Sequence, residues 1–213
     1  CQHGNTSKEL LPYFFNILTA DDLAQHPVLL DFALSAPVTE AVTGYLGHIP
    51  RLHSIGVFYS AVNDSVSGSQ MYHVDGDALT QIKCFVNVWK VGVGGGAFTF
   101  LPKSQTSSSL RSRGLMKTIS DREVYQLVPK EKQVAVIGPP ANGAFVDTSR
   151  CLHQGSRAKE RPRLVFQFQY VTRPDALLSK TSKKMIPGGN LLITPRLLDG
   201  LNLSNPNAIM FVG

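Results

Sequence analysis

Cysteine is scarce in this chain of 213 residues: Cys1, Cys84 and Cys151 are an odd count with no CxxC spacing. That excludes a disulfide framework and fits a reducing, cytoplasmic compartment. Cys151 stands two residues before His153, yet it reads as a small buried side chain rather than a metal ligand. Long apolar runs are missing too. None approaches the ~18–20 residues that a membrane-spanning helix needs, and the sequence shows no secretory signal pattern. There is no internal repeat. Charged residues make up only 17% of the chain, and Lys and Arg exceed Asp and Glu to leave a net charge of +6. The basic residues are dispersed, apart from Arg111, Arg113 and Lys117 and then Lys180, Lys183 and Lys184. Neither cluster carries interleaved aromatics on which bases could stack, which argues against a nucleic-acid partner. Dispersed basic residues of this kind are for the most part ordinary solvated surface, and as far as the balance points to a ligand it tilts slightly toward an anionic small molecule.

The hydrophobic pattern has two regimes. Residues 8–48 read as helical, with Asp21 and Asp22 at a helix start before LAQHPVLLDFAL. Pro37 opens a second helix as a first-turn proline and Gly47 stops it. From about His53 the period becomes two. HSIGVFYS, TQIKCFVNVWKV, GAFTFLP, QVAVIG, GAFVDT and RLVFQFQYV are short β-runs separated by Gly, Pro, Ser and Asn. Helices followed by many short strands predict an all-β core with helical decoration (α+β): a double-stranded β-helix, that is, a jelly-roll or cupin-like double sheet, with the N-terminal helices packed on one sheet. The length suits a single domain over 1–213, with the jelly-roll core at about 53–172 and a C-terminal tail at 173–213 wrapping the outside. Residues 104–126 read as a long polar insertion between strands, of the kind that forms lids or binding loops.

Two histidines and one carboxylate carry the chemistry. In YHVDGD, His73 and Asp75 fall on one face of an extended segment because side chains alternate. Asp77 is a rival, but its spacing from His73 requires a turn. His153 in CLHQGS supplies a third ligand if a returning strand sets it opposite His73. This donor set is that of a facial Fe(II) site with open positions. Arg163 follows in RLVFQFQYV, and its planar guanidinium suits bidentate pairing with a carboxylate. The strands add a second clue. Ile82, Cys84, Val86 and Val88 form one apolar face, while Gln81, Lys83, Phe85, Asn87 and Trp89 form the other. Arg163, Val165, Gln167 and Gln169 likewise share a face. Polar and charged side chains on a covered face must meet something polar.

These stretches resemble the Fe(II)/2-oxoglutarate-dependent oxygenase superfamily, and within it the phytanoyl-CoA dioxygenase-like family. The resemblance covers roughly residues 20–172 and rests on SQMYHVDGD, KCFVNVWKVGVGGGAFTFLPKSQ and VDTSRCLHQGSRAKERPRLVFQFQY. It implies that His73, Asp75 and His153 bind iron and that Arg163, preferred over Arg161, binds the distal carboxylate of 2-oxoglutarate. It also implies dioxygen as cosubstrate, and succinate and CO2 as co-products. Related halogenases leave the aspartate position to a halide, so Asp75 argues for hydroxylation. Lys83 and Asn87, by facing, and Tyr72, by adjacency, are expected cosubstrate contacts; Gln70 is an expected substrate contact. FLPKSQ departs from the family, where that stretch more often ends in His. One other reading stays open: a non-catalytic cupin-like metal- or ligand-binding protein. A metal-dependent isomerase or hydrolase on the same fold could use the same ligand types, but Arg163 and the family motifs argue against it.

Overall fold

The computed structural model of this protein describes residues 13–172. The expected wrapping tail at 173–213, the Lys180 cluster and the start of the helical region at 8–12 lie outside the described residues.

A two-residue strand, β1 (Phe15–Asn16), precedes three helices, α1 (Ala20–Gln25), α2 (Val28–Ala33) and α3 (Ala36–Leu46). Thr19 and Asp22 form a capping box that starts α1. The segment LAQHPVLLDFAL holds two helices rather than one. Proline cannot donate to the preceding turn and clashes with its carbonyl. Accordingly α1 ends at its C-cap His26, and Pro27 becomes the N-cap of α2. Pro37 sits in the first turn of α3, and Gly47 ends that helix at φ 75, the left-handed conformation that glycine adopts freely.

Each expected β-run contains a strand. These are β2 (Arg51–Ser60), β3 (Gln81–Asn87), β4 (Thr99–Phe100), β5 (Val134–Ala135), β6 (Gly143–Val146) and β8 (Arg163–Val171), with β7 (His153–Gln154) in addition. They form two antiparallel sheets, one of five strands in the order β1-β2-β8-β3-β6 and one of three in the order β5-β4-β7. The alternation in β3 and β8 sorts their two faces. Ile82, Cys84, Phe168 and Tyr170 join Leu52 and Ile55 in one apolar cluster with Ala33, Val38 and Val42 of α2 and α3. The Tyr170 hydroxyl donates to the Ala33 carbonyl at 2.9 Å, which satisfies its polar end within that cluster. On the opposite face, Phe85, Val146 and Val165 meet Phe98, Phe100, Val136 and Cys151 between the sheets. This architecture is consistent with the expected jelly roll.

Residues 104–126 require a correction. The polar composition suggests a loop, but the segment forms α4 (Ser108–Met116) and α5 (Asp121–Tyr125). The Ser107 hydroxyl accepts from the Leu110 amide at 3.2 Å, and Ser120 and Glu123 make a capping box. The few apolar residues of the segment are placed to pack. Leu110, Ile119 and Val124 are buried with Val128 against Tyr72, Val74, Leu101 and Leu152. Two of its basic residues are committed locally, Arg111 donating to the Ser149 carbonyl at 2.8 Å and Arg113 pairing with Glu123 at 2.7 Å.

Candidate metal centre

His73 and His153 sit opposite one another across an antiparallel bridge. The His73 amide donates to the His153 carbonyl, and the His153 amide to the His73 carbonyl, both at 2.9 Å. Residues directly opposed in this way point to the same face, and the ring centroids are 4.3 Å apart. Asp75, two residues on, returns to that face. Its amide is fixed by the Thr148 carbonyl at 2.9 Å.

The rings are aimed by their inner nitrogens. Nδ1 of His73 donates to the Met71 carbonyl and Nδ1 of His153 to the Cys151 carbonyl, each at 2.9 Å. A carbonyl only accepts, so the proton sits on Nδ1 and each Nε2 keeps its lone pair for a metal. His73 Nε2 lies 3.7 Å from Asp75 Oδ1, and His153 Nε2 lies 3.6 Å from Asp75 Oδ2. One donor atom from each of the three residues falls within 4.8 Å of the others, a spacing that admits one ion. Two imidazole nitrogens and one carboxylate oxygen suit a divalent first-row metal and leave further coordination positions open.

Charges around the group are unusual. Burial, with His153 beside it, pushes His73 down to about 4. Burial alone would raise the Asp75 carboxyl, but the Lys83 ammonium and the neighbouring His153 and His73 hold it well below the usual carboxylate range. Lys83 Nζ stands 2.7 Å from Asp75 Oδ2, an ion pair without hydrogen-bond geometry. Arg163 is only 3% exposed. Its Nη2 donates to the Ser156 hydroxyl at 3.3 Å, while Nε and Nη1 have no hydrogen-bond partner among the described residues. Burial pushes its guanidinium down to about 10, which leaves it charged at neutral pH. No carboxylate among the described residues is within ion-pair distance of it.

One cavity of about 280 Å³ joins these groups, with His73, Asp75, Lys83, His153 and Arg163 among its walls. It is near the small end of the ~300–1,000 Å³ typical of small-molecule sites. Three expected contacts do not line it. The Tyr72 hydroxyl is buried and donates to Gln133 Oε1 at 2.7 Å in the cluster below α4 and α5. The Gln70 side chain donates to Asn63 Oδ1 at 2.8 Å and to the Ser156 carbonyl at 3.0 Å, so it braces the segment that carries Ser156. The Asn87 amide donates to the Val136 carbonyl at 3.2 Å, across to the neighbourhood of β5. Asp77 accepts from Gln169 Nε2 at 3.0 Å and stays out of the metal group. Cys151 is buried between the sheets, and Cys84 and Cys151 are both free thiols.

No protein-family model matches the chain, and no curated protein does. Solved structures do. The crystal structure of the non-haem α-ketoglutarate-dependent epimerase SnoN from nogalamycin biosynthesis superposes with a TM-score of 0.51 at 21% identity, covering 78% of this chain and 67% of that one. The apoform of EctD from S. alaskensis gives a TM-score of 0.54 at 15% identity, covering 74% of this chain and 56% of that one. EctD with 2-oxoglutarate and 5-hydroxyectoine gives 0.51 at 16% identity, covering 69% and 53%. This chain has their fold. It spans little more than half the length of EctD.

Within that fold, several cavity residues were not singled out in the sequence. Ser156, on the loop before β8, is the one side-chain hydrogen-bond partner of the Arg163 guanidinium among the described residues and adopts a positive φ of 62. Its segment is held by Gly96, which stands at φ 69 with the backbone nitrogen of Ala158 only 2.6 Å from where a Cβ would be. Only glycine permits that approach at position 96. Phe58 and Phe14 stack at 4.6 Å on another wall of the cavity. Strand alternation offered a signal for Gln167, which shares a face with Arg163, but none for Phe14.

Proposed function

We propose that this protein is a non-haem Fe(II)- and 2-oxoglutarate-dependent oxygenase of the phytanoyl-CoA dioxygenase-like kind, which hydroxylates a small organic substrate. The observation that carries this reading is Arg163: a buried guanidinium with two unsatisfied donors, in the same cavity as a two-histidine, one-carboxylate group. A buried cation of this kind is costly unless an anion meets it. A hydrolytic or purely binding metal centre does not by itself call for such an anion. A dicarboxylate cosubstrate bound at the metal would bring one, in its second carboxylate. SnoN and EctD, whose fold this chain has, support the reading, the first as an α-ketoglutarate-dependent enzyme and the second through its complex with 2-oxoglutarate.

His73, Asp75 and His153 would hold the iron, each histidine through Nε2. Ferrous iron with 2-oxoglutarate supplies dioxygen activation, with hydroxylated product, succinate and CO2 as the outcome. The chain's own contributions are orientation, charge and exclusion of water. Arg163, steadied by Ser156, would take the distal carboxylate. Lys83 lines the same cavity and adds a second cation for a dianionic cosubstrate. Phe85 and Phe98 stack at 3.9 Å beside His153 and keep that wall apolar.

Anaerobic addition of Fe(II) and 2-oxoglutarate tests the reading. A weak visible charge-transfer band that requires both is the expected result. Metal binding without such a band would mean a cupin-like binding protein instead. Arg163→Ala should raise the 2-oxoglutarate concentration needed for the band by on the order of 10²-fold, because it removes a buried charge partner.

A further inference from the structure

Lys83 is a cation lodged beside the one carboxylate of the metal group, and its effect on the metal has a definite sign. It lies in the middle of β3, opposite Gln169 of β8 and Val146 of β6, so its backbone is fixed on both sides. Its side chain is 12% exposed, and Asp75 is its one ion-pair partner among the described residues. The two oxygens of Asp75 are divided. Oδ1 faces His73 at 3.7 Å, whereas Oδ2 has the Lys83 ammonium at 2.7 Å and His153 Nε2 at 3.6 Å. The proposed oxygenase reading uses Lys83 as a cosubstrate contact; the present inference concerns its relation to Asp75 and rests on that metal centre.

We propose that Lys83 shares the Asp75 carboxylate with the metal: it holds one oxygen, leaves the other for the ion, and weakens metal binding in exchange for a site assembled beforehand. Two effects oppose one another. Losing a group that merely orients a ligand typically weakens metal binding by ~10–100-fold. Losing a cation from a buried pair strands the carboxylate, a penalty that corresponds to a factor of roughly 10² to several 10³ and that a bound metal relieves. The ammonium also repels a divalent ion held by the same carboxylate. With Asp75 only 14% exposed, the electrostatic effect is the larger, so removing Lys83 tightens metal binding.

The test uses full-length protein stripped with a chelator, and Zn(II) as the probe in competition with a chromophoric chelator. Lys83→Met should bind Zn(II) about tenfold more tightly than the natural protein. Lys83→Arg, which keeps the charge, should stay close to it. Without metal, Lys83→Met should melt at a lower temperature, and Zn(II) should raise its midpoint by more than it raises that of the natural protein. Equal or weaker Zn(II) binding in Lys83→Met, with no larger thermal rise, overturns the proposal in favour of a simple orienting role. If Lys83→Met does not fold, Lys83→Gln carries the same two measurements. Failure of the natural protein to bind Zn(II) overturns the metal centre and this inference together. Zn(II) binding that responds to Lys83→Met as expected, in a protein that shows no 2-oxoglutarate-dependent band with iron, sinks only the oxygenase reading.

Discussion

His73 stays neutral well below the usual titration range of imidazole, since burial and the adjacent His153 ring push it down to about 4. In an unfolded chain the same ring titrates near ~6.5. Between these values the unfolded state binds more protons, so stability falls as pH drops from about 6.5 to about 4, where the loss is complete. The loss should approach ~3 kcal/mol, less whatever the ring's 21% exposure screens. Denaturant titrations of chelator-treated protein across this window should show it, and His73→Asn should flatten the slope. An unchanged slope in that variant would place the acid sensitivity elsewhere. At this scale the sequence was informative where alternation decides the matter. His73 and Asp75 share a face because they are two apart, and Lys83 reaches the cavity for the same reason. Tyr72 fails to reach it by that very rule: as the neighbour of His73 it points to the other side, into the cluster with Ile119 and Leu152. Asn87 obeys the facing rule but sits at the end of β3, where the Val136 carbonyl captures its amide.

The pair α4 and α5 shows where composition misleads. Ser and Thr dominate residues 104–109, and that density suggested a loop. The overlooked signal was local and physical: Ser120-Asp121-Arg122-Glu123 has the spacing of a capping box, and Ser107 stands three residues before Leu110. Arg157 then fastens the pair to the loop after His153, through two bonds of 2.7 and 2.8 Å to Asp121. These helices therefore act as a second core beneath the metal ligands rather than as a movable cover. Leu110 is 1% exposed and packs in the same cluster as Val74, which lies between His73 and Asp75. Leu110→Ala should destabilise the protein by about 2–5 kcal/mol, read from its denaturant midpoint, and should also weaken metal binding. A stability loss with metal affinity untouched would mean that the helices and the site are mechanically independent.

Across the whole molecule, periodicity carried the architecture: a helical stretch, then strands with one apolar and one mixed face. The order of strands was less accessible, because β8 pairs with β2 and β3 over long sequence distances and no local pattern encodes partners. The two-residue strands β1 and β7 were equally hard to foresee, because they lie outside the alternating runs. One consequence follows from the reciprocal backbone bonds between His73 and His153. The spacing of these two ligands is set by a bridge between distant parts of the chain, and side-chain motion alone cannot change it. Their amide hydrogens should thus exchange with solvent on the timescale of global unfolding. Rapid exchange at both, measured by NMR or mass spectrometry, would reveal local breathing instead. If exchange is slow, the geometry of the centre persists for as long as the native state itself, and its working lifetime is set by the unfolding barrier.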